Sequence, residues 1–151
     1  MCWHGILENK KIATEDVKCY KIVLRFVDEP YLCFRPYFRY KNTPMEYEIG
    51  KTYHDKICLE ITKYTGHVTI HKGIHCYDSS VCICSFYGDY GKQYEVSNLL
   101  LCTTFSKIGT FFSRSDCEAV LVECTIPKGT LYYVNDEGEI VTEKLIINKV
   151  V

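Results

Sequence analysis

Ile126-Pro127-Lys128-Gly129-Thr130-Leu131-Tyr132-Tyr133-Val134-Asn135-Asp136-Glu137-Gly138-Glu139-Ile140-Val141 is the stretch whose reading decides the fold class. Two breaker clusters, Pro127-Lys128-Gly129 and Asn135-Asp136-Glu137-Gly138, bracket a short run of aromatic and β-branched residues. Each cluster supplies residues that preset φ or tolerate φ > 0, so each reads as a turn. Strands are therefore expected at Thr130–Val134 and Glu139–Ile147, with Ala119–Ile126 leading in. Working upstream, the same grammar gives strands at Val17–Val27, Leu32–Tyr40, Ile57–Tyr64 and Val68–Ile70, with turns at Thr65-Gly66 and Lys72-Gly73.

The composition points the same way. Thirteen tyrosines and seven phenylalanines favour strands, and no long stretch carries helical periodicity. Asp78-Ser79-Ser80 can N-cap a short helix running to Tyr87, although Val81 to Cys84 also suit a strand. The expectation is an α+β, β-dominated fold: a single compact domain over residues 1–151 with mostly antiparallel strands and one or two short helices. A chain of 151 residues buries roughly 68–70% of its unfolded surface, so its core needs no disulfide staples.

Ten cysteines are then read as free thiols. Met1 to Lys11 contains no apolar segment of signal-peptide length, so a reducing cytoplasm is the expected setting. A net charge of −1 supplies no general attraction to nucleic acid. The longest apolar runs fall far below the ~20 residues of a membrane span. Removal of Met1 would expose Cys2, but Trp3-His4 stand where amidotransferases with an N-terminal cysteine nucleophile place Gly-Ile. Cys2 is read as a packed thiol.

His67, His71 and His75, followed by Cys82 and Cys84, raise the question of a metal. On a strand, successive histidines of this series stand about 13 Å apart at ~3.3 Å per residue, whereas zinc holds nitrogen at about 2.0–2.1 Å. Only a fold-back at Lys72-Gly73 would bring His71 near His75. Cys82-x-Cys84 lacks the spacing of a zinc knuckle. No metal and no cofactor is expected, and His67 and His71 are read as surface residues.

Phe34 to Lys41 alternates if extended, placing Arg35, Tyr37, Arg39 and Lys41 on one side. Guanidinium forks beside an aromatic ring can hold a phosphate and stack a base. Pro36 lacks an N–H and so suggests an edge strand or a bulge.

Several boxes together carry a resemblance: Cys19-Tyr20-Lys21, Glu46-Tyr47-Glu48-Ile49-Gly50-Lys51-Thr52-Tyr53, Gly73-Ile74-His75-Cys76-Tyr77 and Thr125 to Tyr133 leading into Glu139 to Ile147. Their order resembles a family of small domains of unassigned activity carried by bacteriophages and gut bacteria. The resemblance runs from about Val17 to the C-terminus. It implies a phage or mobile-element setting and a His-Cys box that ends a strand and begins a short helix. It transfers no catalytic residue. Ala119 to Thr130, followed by a strand opening at Glu139, is also similar to the C-terminal half of mono-ADP-ribosyltransferases. That likeness implies Glu139 beneath an oxocarbenium-like ribose, with His75 or Tyr77 against the nicotinamide, although the Ser-Thr-Ser segment of those enzymes is missing.

The leading expectation is a non-enzymatic binding module for a small anionic nucleotide-like ligand or a host protein. Its expected contacts are Arg35, Tyr37, Arg39, His75 and Tyr77. The alternative is an ADP-ribosyltransferase-like enzyme acting on NAD through Glu139, His75 and Tyr77.

Overall fold

The computed structural model describes residues 3–26, 33–36, 46–78, 92–96, 99–103 and 117–150. In chain order these give β1 (Trp3–Ile6), a 3₁₀ turn (Leu7–Asn9), β2 (Lys10–Ile12), β3 (Val17–Phe26), β4 (Cys33–Pro36), β5 (Tyr47–Glu48), β6 (Thr52–His54) and β7 (Cys58–Ile61). They continue with β8 (His67–Lys72), β9 (Ile74–Tyr77), β10 (Lys92–Val96), β11 (Leu99–Thr103), β12 (Cys117–Ile126), β13 (Leu131–Val134), β14 (Glu139–Thr142) and β15 (Lys144–Val150). The fold is β-dominated and every strand pair is antiparallel.

The large sheet runs β2-β13-β14-β9-β3-β12-β15-β6, with β4 and β5 added beside β3. β12 pairs with all of β3 along one edge. The other edge is shared, with β9 at Tyr20 and β4 at Val23 and Leu24. β14 and β15 follow each other in sequence with only Glu143 between them, yet β9, β3 and β12 separate them in the sheet. The sheet must therefore roll round until its two flanks meet at Glu143. Backbone bonds fasten this seam: Glu143 N–H donates to the Leu131 carbonyl at 3.1 Å, and Asp55 N–H donates to the Glu143 carbonyl at 3.0 Å. The single strand expected over Glu139–Ile147 is thus corrected to two strands around a corner, where the Thr142 hydroxyl donates to the Lys144 carbonyl at 3.1 Å.

The interior of the roll is the first core, containing Cys19, Val23, Cys76, Val122, Cys124, Ile140, Leu145 and Ile147. Period-2 alternation selects these residues from each strand. Lys21 shares their face and is buried among them. Its Nζ donates to the His75 carbonyl at 2.6 Å and lies 5.6 Å from the centre of the Tyr47 ring. Burial lowers the Lys21 ammonium below its ordinary range, while burial raises the Cys19 and Cys124 thiols. Cys19, Cys58, Cys76 and Cys124 are free thiols, and the buried three behave as small apolar groups.

A three-stranded sheet, β1-β8-β7, packs on the outside of the roll. Trp3, Ile57, Val68 and Ile70 meet Tyr133 and Val141 there in a second core. The expected turns at Thr65-Gly66, Pro127-Lys128-Gly129 and Asn135–Gly138 form, with Gly66, Gly129 and Gly138 at φ 65°, 86° and 75°. Lys72-Gly73 is instead the corner that passes the chain from the small sheet to the large one. β4 takes β3 on one side and β5 on the other, with Pro36 as its last residue. The expected edge position is therefore corrected: among the described residues β4 has a neighbour on each side, and Pro36 is in register with Val23. The alternatives for Asp78 to Tyr87 fall at 79–87, outside the described residues, as do Cys2, Cys82 and Cys84. No described helix is long and apolar enough to cross a membrane.

Candidate functional site: a lysine-lined cleft at the seam

The seam that closes the roll also opens a cleft. His54, Asp55, Lys56, Lys128, Thr130 and Glu143 are among its lining residues, with Leu131 and Lys144, and its volume is about 470 Å³. That falls within the range of small-molecule sites, ~300–1,000 Å³.

Local structure fixes each wall. The Pro127-Lys128-Gly129-Thr130 turn is closed by Thr130 N–H donating to the Pro127 carbonyl at 3.2 Å. Gly129 at φ 86° supplies the left-handed residue the turn needs. Backbone bonds of Ala13 to Gly129 and Thr130 hold the turn down, and Lys128 N–H donates to Asp16 Oδ1 at 2.9 Å. The opposite wall is the β6–β15 pair, in which Lys144 sits directly across from His54. Residues paired in this way project to the same side of a sheet, so the register sets an ammonium beside an imidazole.

The surface lysines divide into paired and unpaired ones among the described residues, and the unpaired state is not confined to the cleft: Lys10, Lys11 and Lys63 share it elsewhere. Lys18 and Lys149 pair with Glu123, Lys51 with Glu48, and Lys72 with Asp55 at 3.9 Å. Among the described residues no carboxylate lies within ion-pair distance of Lys56, Lys128 or Lys144. Asp55 is spoken for, since its Oδ2 accepts from Gly73 N–H at 3.1 Å. Thr130 is only 6% exposed, and its Oγ1, shut off from solvent, has no hydrogen-bond partner. A buried hydroxyl left unpaired costs about 1–3 kcal/mol.

The contacts expected from sequence lie elsewhere. Arg35 is in β4, in register with Leu24, while Tyr37 and Arg39 are outside the described residues. His75, Tyr77 and Glu139 do come together: Tyr77 pairs with Glu139, and His75 with Val141, on one face of β9 and β14. Their surroundings are structural. The His75 ring Nε2 lies 3.2 Å from the His71 carbonyl, so the fold-back at Gly73 does bring these two histidines together. Tyr77 is buried. Trp3 Nε1–H donates to the Glu139 carbonyl at 2.8 Å, and Asn135 Nδ2–H donates to its carboxyl at 3.3 Å. His67 is half-buried, and its Nε2 lies 3.2 Å from Nδ1 of His4. This contact lies at the surface, above the backbone pairing of β1 with β8.

Titration separates two of these groups. Burial, followed by the nearby Lys21 ammonium, pushes the His75 imidazole down to about 4. Burial, followed by a hydrogen bond with Glu137, pushes the Glu139 carboxyl up to about 7. The preference of folded His75 for its neutral form contributes stability above its ordinary value of 6.5, which is lost as pH falls towards about 4. Glu139 acts in the opposite sense: its contribution is complete below 4.5 and lost as pH rises through about 7. The two trends oppose each other across the acid range. Glu139→Gln is therefore expected to lose stability more steeply than the parent chain on acidification from pH 6.5 to 4.5 in urea titrations. Parallel curves for the two proteins would contradict this assignment.

Comparison with protein-family models, curated proteins and solved structures gives no match. The resemblance to the phage and gut-bacterial domains accordingly rests on the boxes quoted above, and the functional reading rests on the chain's own geometry.

Proposed function

We propose that the protein is a binding module for a small phosphate-bearing anion, seated in the cleft at the seam. The observation that carries this reading is that Lys56, Lys128 and Lys144, none of them in an ion pair among the described residues, are all lining residues of one cleft of about 470 Å³, against the two carboxylates Asp55 and Glu143. Lysine acts on phosphate as a point charge, and like charges facing one cleft are relieved when an anion enters. This retains the anionic ligand expected from sequence and moves its site from Arg35 and the His75-Tyr77 box to the 127–131 turn.

Calorimetric titration with pyrophosphate tests the reading. Lys128→Glu is expected to weaken binding about 10- to 100-fold, the equivalent of one charged hydrogen bond at ~1.5–3 kcal/mol, and added salt should weaken it further. Equal affinity in the parent and in Lys128→Glu would sink the proposal. Thr130→Val, which removes the buried and unpartnered hydroxyl, is expected to raise stability by about 1 kcal/mol in urea unfolding. The Glu139 carboxyl accepts from Asn135 Nδ2–H and its backbone carbonyl from Trp3 Nε1–H, which ties the residue into the fold. NAD turnover abolished by Glu139→Gln would nevertheless transfer the chain to the ADP-ribosyltransferase reading.

A further inference from the structure

The outer face of the three-stranded sheet carries histidines from two strands. Alternation along β1 and β8 sends Trp3, Val68 and Ile70 into the second core and leaves His4, His67 and Thr69 on the opposite face. The register sets His4 across from Thr69 and His67 across from Ile6. The two histidines are thus diagonal neighbours, within reach of each other's side chains. No spacing rule announces this pair, because its members stand 63 positions apart in the chain.

His4 Nδ1 and His67 Nε2 lie 3.2 Å apart. The rings are 23° from parallel with centroids 5.3 Å apart, too far for contact between ring faces, so it is the nitrogens that meet. Two nitrogens each about 2.0–2.1 Å from one tetrahedral ion stand roughly 3.3 Å from each other. The pair therefore already has the bite of a chelate. Thr69 Oγ1 lies 3.4 Å from the same His4 nitrogen and adds an oxygen. Both backbones are held, since Asn135 Nδ2–H donates to the His4 carbonyl at 3.0 Å and His67 N–H donates to Thr65 Oγ1 at 3.3 Å. A shared proton also accounts for the contact, as an N–H···N bond at the long limit of the usual range. At the surface such a bond gains little over bonds to water.

We infer that His4 and His67 chelate a divalent transition-metal ion of the kind imidazole prefers, nickel, copper(II) or zinc, and that the ion clips β1 to β8. A ring that donates in the shared bond takes its other tautomer on binding. Its proton moves to the outer nitrogen, both facing lone pairs turn to the ion, and no proton is lost overall. Among the described residues no group of three or more histidine, cysteine or acidic side chains converges as a metal site. The protein accordingly supplies two nitrogens, with the Thr69 hydroxyl beside them, and water completes the shell. His71 lies outside the pair, its Nε2 being 3.7 Å from Glu60 Oε2. The inference is independent of the phosphate reading of the cleft.

The test is calorimetric titration of the full chain with nickel chloride, because nickel suits imidazole whereas soft thiolates select zinc and copper(I). The parent is expected to take up one ion more than His4→Asn and one more than His67→Asn. The double variant should match either single one, since a chelate is lost whole when one arm is removed. His71→Asn should bind as the parent does. Nickel should also raise the melting temperature of the parent, a shift that both single variants lose. His4 is exposed and His67 half-buried, so the variants keep the fold, and circular dichroism spectra check it. Equal nickel uptake by the parent and either single variant, a site that only the double variant removes, or the same loss in His71→Asn overturns the inference.

Discussion

Gly73→Ala is expected to lower the unfolding free energy by about 3–5 kcal/mol, combining the cost of a disallowed backbone with that of overpacking. Gly73 sits at φ 127°, which an L side chain rarely adopts. A Cβ there would lie 2.5 Å from Cγ2 of Val141 and 3.1 Å from Cγ1 of Ile57, both in the second core. Neither neighbour can retreat easily, because Val141 is fully buried and belongs to the central part of the rolled sheet. The Gly73 N–H also holds the buried Asp55 carboxylate, so a shift at this corner reaches the wall of the cleft. Gly66→Ala is the control: its φ is also positive, at 65°, but nothing lies within 4 Å of the added carbon. That change should cost only about 1–2 kcal/mol. Equal losses in the two variants, measured by urea unfolding, would mean that crowding at Gly73 contributes nothing.

The second large effect is expected at Trp3. Its ring is 1% exposed and meets Tyr133 edge-on with centroids 5.5 Å apart. It is the largest side chain fastening the three-stranded sheet to the roll. Trp3→Ala should cost about 3–5 kcal/mol. Trp3→Phe keeps most of the packing and removes only the Nε1–H bond to the Glu139 carbonyl, so it should cost about 1 kcal/mol more than the lost volume alone. Trp3 is the sole tryptophan, and its fluorescence reports directly on detachment of the small sheet in the parent chain. Unfolding of the variants has to be followed by circular dichroism. A Trp3→Ala protein as stable as the parent would show that the two sheets do not depend on this contact.

Much of the fold was legible because turn chemistry is local. Pro127-Lys128-Gly129 and Asn135–Gly138 announce their conformations in their own residues, and β12, β13 and β14 follow from them. Short strands were harder to see. Tyr47–Glu48 and Thr52–His54 are two and three residues long, too brief for periodicity to register. Strand at the end of the Gly73–Tyr77 box was implied by the resemblance alone; what the residues did not show is that Gly73, which resembles a hairpin turn, opens a strand that joins a different sheet. The corner at Glu143 escaped notice because no glycine or proline marks it; backbone hydrogen bonds, to the Leu131 carbonyl and from Asp55 N–H, hold the bend.

The site was legible only in part. An anionic ligand was an expectation drawn from Arg35 and Arg39, where alternation in one segment drew the eye. The cleft is assembled from three separate segments around residues 54–56, 128–131 and 143–144, and no spacing rule connects them. The one local signal was the lysine within the 127–130 turn, whose geometry presents a side chain at the surface. Glu139, His75 and Tyr77 do share a face, as the enzyme reading required, yet hydrogen bonds to Trp3, Asn135 and the backbone of His71 tie that face into the fold.

The central claim is that an anion binds at the seam, and the most direct measurement is a ¹H–¹⁵N correlation spectrum of the full chain titrated with pyrophosphate. The account predicts saturable shifts concentrated at Asp55, Lys56, Lys128, Gly129, Thr130, Glu143 and Lys144, and much reduced in Lys128→Glu. Shifts centred on Arg35 or on the His75-Tyr77 strand, or a spectrum that pyrophosphate leaves unchanged, would contradict it.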